Sequence, residues 1–182
     1  MKFTLSWLKD HLDTSASINE IADKLTLIGL EVEALVDPSE IFANFEVAEI
    51  IATKPHPEAD RLQICTVKSS GGEQQLVCGA PNARAGLVGI LAQEGAVIPA
   101  SGMVLGKAKI RGIESRGMMC SGAELGMNDD HDGIIELQTG ATIGSPAAAA
   151  LGLDDPMIEI AITPNRPDCL GVRGIARDLA AA

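Results

Sequence analysis

The chain has 182 residues, a formal charge of −11 and 46% apolar content, which fits one or two globular domains with a packed core. So acidic a chain does not attract nucleic acid in bulk, and any such function must rest on a local patch. Cys65, Cys78, Cys120 and Cys169 form no C-x-x-C pair, which argues against a zinc site and predicts four reduced, mostly buried cytosolic thiols.

The N-terminus carries no uninterrupted apolar run of the secretory kind. Lys2–Leu5 is a short alternating start, and Ser6 is placed to cap a helix carrying Trp7, Leu8 and Leu12. A second helix is better marked. Ser17-Ile-Asn-Glu20 is a capping box, and Ile18, Ile21, Ala22, Leu25 and Ile28 form an apolar stripe that Gly29 ends. Leu30–Val36 alternates as a strand, and Asp37-Pro38-Ser39 reads as a turn at a domain boundary.

From Phe45 onward the pattern is one of short strands between Gly and Pro turns: Val47–Thr53, Leu62–Lys68, Gln75–Cys78, Leu87–Leu91, Met103–Arg111, Gly117–Cys120 and Ile134–Leu137. The apolar-rich Leu87–Leu105 run contains Gln93, Glu94, Gly95 and Pro99, so it reads as two strands and a turn and not a membrane span. This spacing predicts a small antiparallel barrel, of a size that suits a five-stranded oligonucleotide-binding barrel. After Gly144 an Ala-rich helix precedes a strand at Met157–Ile162 and a rigid loop at Thr163–Asp168. Asp168 is placed to cap the final segment Cys169–Ala182, which ends in Ala-Ala-Ala without a breaker and reads as cut from a longer chain. The expected fold class is α+β. Residues 1–38 and 150–182 form a small discontinuous domain, with the barrel of residues 39–149 inserted.

The sequence holds no G-x-S-x-G elbow, no Cys/His nucleophile signature and no phosphate loop. Asn128, Asp130, Asp132 and Gly133 fit positions one, three, five and six of a calcium loop, but position twelve is Thr139 instead of Glu and no flanking helices are evident. An acidic turn feeding the next strand accounts for the run. The stretch that stands out is Lys107–Ser121, where four cations, Lys107, Lys109, Arg111 and Arg116, accompany the single acid Glu114. Strict alternation places Lys107, Lys109 and Arg111 on one strand face about 7 Å apart, a spacing able to track a phosphodiester backbone. The same pattern also describes a solvated face or a protected sheet edge. Lys54, His56 and Arg61 flank a Pro-stiffened turn and can extend the basic patch. Aromatic residues stop at Phe45, so base stacking is scarce and contact is expected with backbone and shape.

Together, His56–Leu62, Val77–Asn82, Lys107–Ser121 and Asp132–Glu136 resemble the tRNA-binding oligonucleotide-fold module. Met1–Leu8, Gly29–Glu33 and Thr163–Gly171 resemble the bacterial phenylalanyl-tRNA synthetase β-subunit family, and the likeness covers essentially the whole chain. The resemblance implies an N-terminal fragment of a cytosolic, α2β2 ligase that attaches phenylalanine to tRNA using ATP and Mg2+. Its partners would be tRNA, bound weakly through its backbone, and the α subunit, with no membrane association. The family's tRNA-binding motif falls on Lys107, Lys109, Arg111, Ser115, Gly117, Met118 and Ser121, and Met118 is expected to pack inward. The resemblance carries no catalytic residue, metal ligand or cofactor onto this fragment. Two alternatives stay open: a free-standing tRNA-binding protein or chaperone, and a purely structural domain of the synthetase.

Overall fold

The structure is a computed structural model and describes every residue except Thr139. In chain order the elements are β1 (Lys2–Thr4), α1 (Leu5–Lys9), α2 (Ile18–Leu27), β2 (Val32–Val36), α3 (Pro38–Ile41), β3 (Phe45–His56), β4 (Ala59–Ser69), β5 (Gly72–Cys78), β6 (Val88–Ala92), β7 (Ala108–Ile110), β8 (Ile113–Ser115), β9 (Met118–Met119), α4 (Ala147–Leu151), β10 (Met157–Ile160) and α5 (Val172–Ala181). They form two compact units, Met1–Ser39 with Asp154–Ala182, and Glu40–Leu153. The fold is mixed α and β, with antiparallel sheets throughout.

The first unit holds a three-stranded sheet in the order β1-β10-β2. Its middle strand comes from the far end of the sequence and pairs Phe3 with Ile158 and Leu35 with Ile158 on its two sides. Phe3, Leu8, Ile21, Leu25, Ile158, Ile160 and Ile175 make its core. The Ser17–Glu20 capping box forms as expected, with reciprocal bonds between side chain and backbone. Ile21, Ala22 and Leu25 are buried on one face of α2.

Two caps differ from expectation. Thr4, not Ser6, caps α1 by accepting the Trp7 N–H, and the helix ends at Lys9, before Leu12. β1 runs one residue less than expected, which hands the capping position to Thr4. The Ser6 N–H goes to Asp155 instead, at 2.9 Å. Gly171, not Asp168, precedes α5. Asp168 pairs with Arg166 and Arg177, a network that also takes in Asp178. Asp37-Pro38-Ser39 is likewise not a plain turn. Asp37 accepts the Ser39 N–H at 2.9 Å and leads into the helical turn α3.

The second unit is built on a five-stranded sheet in the order β5-β4-β3-β6-β9. The first half of the central strand β3 is buried on both faces, from Phe45 through Ala48 and again at Ile50. Phe45 and Val47 pack with Phe42, Ile90, Ile98, Leu125 and Ala147. Ala48 and Ile50 pack on the other side with Val67, Leu76, Leu91, Met119 and Ile134.

Two expected strands are revised. Met103–Leu105 folds back on Ala96–Ile98, with Leu105 donating to Ala96 and Ile98 to Met103, both at 2.8 Å. Only Ala108–Ile110 of the long predicted run is strand, in the separate β7–β8 hairpin. Ile134–Leu137 is extended but forms no strand. Its Ile135 and Leu137 N–H groups bond the Cys120 and Val88 carbonyls at 2.9 Å, while Asn82 bonds both the N–H and the C=O of Ile134.

Candidate nucleic-acid interface

The β7–β8 hairpin is a two-residue loop closed by the Ile110–Ile113 pair. Both loop residues have positive φ, Arg111 at 47° and Gly112 at 82°, the signature of a type I′ turn. Arg111 therefore sits at the hairpin tip and does not continue the Lys107–Lys109 alternation. Its Nη1 reaches across to the Glu58 carbonyl, 2.8 Å away. Lys107 and Lys109 are exposed, and Lys109 lies opposite Glu114 in register. Arg116 is held by Glu114 at 2.7 Å. That contact, with a smaller contribution from Lys107 and Lys109, keeps the Glu114 carboxyl below its usual range.

A second hairpin brings the other candidates close to this tip. β3 and β4 meet through the His56–Ala59 pair. His56 is buried, and its Nδ1 accepts the Glu58 N–H at 3.1 Å. Nε2 is then the protonated nitrogen, and it donates to the Ile110 carbonyl at 3.2 Å. His56 and Arg111 thus join the two hairpin tips, and the imidazole serves the scaffold. Lys54 and Arg61 lie near this junction with exposed side chains. Among the described residues, neither they nor Lys107, Lys109 and Arg111 form a salt bridge.

Ser115 and Ser121 are buried at 4% and 6% exposure. The Ser115 hydroxyl accepts the Val77 N–H at 3.0 Å. Ser121 forms a reciprocal cap with Glu124, accepting its N–H at 3.2 Å and giving its own N–H to the carboxylate at 2.7 Å. Met119 and Cys120 are buried, and Met118 is half-buried against the core containing Phe45 and Ile90. Gly117 has φ +84°, and a Cβ there would lie 2.6 Å from the Ala92 carbonyl oxygen, so no other residue fits that crossing.

The segment from β8 to β9 spans both edges of the sheet. Arg116 donates to Gln75 at 3.0 Å on the β5 side, and Gln75 Nε2 returns a bond to the Glu114 carbonyl at 3.0 Å. Two residues later, Met118 and Met119 pair with Ala92 and Leu91 of β6.

Lys68 is an exposed cation that sequence reasoning did not select, but register sets it between Glu49 and Glu73. Asn128 and Asp130 form successive side-chain turns, the carboxamide and the carboxylate each taking the N–H two residues on. The twelfth position of the calcium-loop reading, Thr139, lies outside the described residues. Among the described residues, the one cluster of metal-ligating type is Asp168, Cys169 and Asp178. Its carboxylates already hold the Arg166 and Arg177 guanidiniums. All four cysteines are free and buried, as expected. No described helix is long and apolar enough to cross a membrane.

Residues 45–146 match the family model described as "Putative tRNA binding domain". The whole chain is 62% identical over 181 residues to the phenylalanine–tRNA ligase beta subunit of Rhodospirillum rubrum and 57% identical over 184 residues to that of Rhodopseudomonas palustris. It spans only 22% and 23% of those relatives' lengths. The full-length match bears out the resemblance drawn from the motifs. A looser structural likeness, TM-score 0.46 at 19% identity, covers 63% of this chain and 98% of a MetRS related protein from Pyrococcus horikoshii.

Proposed function

The chain belongs to the tRNA-binding domain family, and on that premise we propose that its Glu40–Leu153 unit is an auxiliary tRNA-binding module at the N-terminal end of a phenylalanine–tRNA ligase β subunit. The observation that carries this reading is the exposed β7–β8 hairpin. It holds Lys107 and Lys109 in solvent and meets a second hairpin flanked by Lys54 and Arg61. Exposed cations that form no salt bridge can replace the counterions condensed on a phosphodiester backbone. The aromatic rings of these hairpins, Phe45 and His56, are buried, so the cations recognise backbone position and not base identity.

The five-stranded sheet is read as an oligonucleotide-binding barrel. Support comes from the β8–β9 segment, which bonds the edge strand β5 and then, as β9, forms the opposite edge against β6. The barrel interrupts a small α+β domain made of the chain's two outer segments.

The ligation chemistry, with its ATP, Mg2+, α subunit and α2β2 assembly in the cytoplasm, is proposed for the parent protein. Among the described residues, the one cluster of metal-ligating type, Asp168–Cys169–Asp178, does not fit a magnesium site, because its carboxylates are already paired with arginine. A scaffold role has its own observation in its favour. Ser115, Ser121 and His56 are buried and spend their polar atoms on internal bonds.

One titration separates the two roles. Binding of unmodified tRNA is measured at low and moderate salt for the natural chain and for the Lys107→Ala, Lys109→Ala double variant. The tRNA-binding reading expects salt-dependent binding whose log–log slope falls by roughly one to two units in the variant. Equal binding by both proteins, or none by either, leaves the scaffold role.

A further inference from the structure

We propose that Cys78 is a peroxide-sensitive thiol and that Cys65 resolves it, the two closing into an intrachain disulfide between β4 and β5. The register pairs Gln63 with Cys78 and Cys65 with Leu76. The two cysteines are therefore diagonal neighbours on facing strands, with side chains on the same face. Each thiol shifts the other's ionisation, Cys65 upward and Cys78 downward. Cys78 also accepts the Ala80 N–H at 3.4 Å.

Access distinguishes Cys78 from the other three. It lines a cavity of about 300 Å³ with Gly79, Met118, Glu124, His131 and Ile134, a volume ample for a peroxide. It is 8% exposed, whereas Cys65, Cys120 and Cys169 are at 0%. The neighbouring Cys65 thiol and then the Ala80 N–H lower the Cys78 thiol's pKa, against burial and the Glu124 charge. Cys65 is driven the other way by the Cys78 thiol, by burial and by the Cys78 charge. Burial pushes Cys120 up to about 12 and raises Cys169. Cys78, the member of the pair that reaches the cavity, is thus the nucleophile, and the buried Cys65 resolves it.

The chemistry balances with a hydroperoxide as oxidant. The Cys78 thiolate attacks one peroxide oxygen, the O–O bond breaks, hydroxide leaves and the sulfur becomes a sulfenic acid. The Cys65 sulfur then attacks Cys78 Sγ, forming S–S and breaking S–O. The departing hydroxide takes the Cys65 proton and leaves as water. Diagonal strand neighbours start about 7–8 Å apart, beyond the roughly 6.8 Å limit of disulfide Cα spacing, so closure requires the β4 and β5 backbones to move together by about an ångström.

The test treats the reduced 182-residue chain with stoichiometric hydrogen peroxide near neutral pH and maps the products by mass spectrometry. The expected product has lost two hydrogens, contains a Cys65–Cys78 cross-link and returns to the starting mass with dithiothreitol. Iodoacetamide should alkylate Cys78 about tenfold faster than Cys120 or Cys169. In Cys65→Ala, peroxide should leave a single added oxygen on Cys78 that dimedone traps. If that variant does not fold by circular dichroism, the natural chain's cross-link map decides alone. Equal oxidation of Cys120 or Cys169 overturns the proposal, as does further oxidation of Cys78 without the cross-link.

Discussion

Arg111 gives its guanidinium to the Glu58 carbonyl at 2.8 Å from a backbone held at φ 47°. A side chain read as a free cation on a strand is thus also the tie between two hairpin tips. Left-handed backbone costs a non-glycine residue about 1–2 kcal/mol, and this tie offsets part of it. Arg111→Ala keeps the strained backbone and loses the bond, and should destabilise the chain by about 0.5–1.5 kcal/mol. Arg111→Gly loses the bond but relieves the strain, and should come out near neutral. Urea denaturation of the two variants checks the ordering: no loss in Arg111→Ala would show that the tie contributes nothing, and equal losses would show that the left-handed backbone carries no strain.

Ser115 is the acceptor for the Val77 N–H inside the sheet edge. Ser115→Ala leaves that N–H buried without a partner, at a cost of about 1–3 kcal/mol. Ser115→Thr keeps the hydroxyl and should lose less. For folded protein, tRNA affinity at fixed salt should be the same for the alanine variant and the natural chain. A drop in affinity at full folding would instead assign the hydroxyl to RNA.

Gly117→Ala should be worse than an ordinary glycine substitution. The new Cβ sits in left-handed backbone, 2.6 Å from the Ala92 carbonyl oxygen. The backbone alone costs about 1–2 kcal/mol, and the crossing must open as well. Amide exchange should show the loss locally, with faster exchange at the β6–β9 pairs, Leu91 with Met119 and Ala92 with Met118. Unchanged protection there is the contrary result.

Glu136 accepts both Arg84 guanidinium nitrogens at 2.8 Å and the Asn82 amide at 3.1 Å. The Arg84 bonds first, and then Asn82, lower its carboxyl from the usual value of 4.5 to about 2. The folded value lies below the unfolded one. Its stabilising contribution is therefore complete above about pH 4.5 and is lost as pH falls toward 2. In Glu136→Gln, the stability curve should be flatter across that window than in the natural chain. Carboxyl-carbon NMR reads the titration directly, and a midpoint near 4.5 would remove the clamp from the account.

Local signals were the ones the sequence displayed clearly. The Ser17–Glu20 capping box lies within one turn of chain, and the β3–β4 and β4–β5 hairpins follow from alternation bounded by turn residues. Arg111 was harder. Lys-x-Lys-x-Arg alternates to its end, and a type I′ turn is ordinarily announced by Asn or Asp before Gly. The available signal was Gly112 followed by the short alternating Ile113–Ser115. Ser115 and Asp168 were illegible for another reason. The first answers to Val77 and the second to Arg177, partners that only the folded chain brings near. A hydroxyl or carboxylate shows its chemistry in sequence, but not which distant donor claims it.

The position of β10 between β1 and β2 has a consequence for biosynthesis. Residues 1–39 contain two edge strands of a sheet whose middle strand is residues 157–160. A ribosome must make the entire Glu40–Leu153 unit before that strand exists, a delay on the order of ten seconds. During that interval Phe3 and the apolar face of α2 have no sheet to cover them, while the intervening unit has all of its own strands. The nascent chain should therefore acquire structure from its middle outward, its first-made segment among the last to settle. That order makes the opening forty residues the stretch most in need of protection during synthesis.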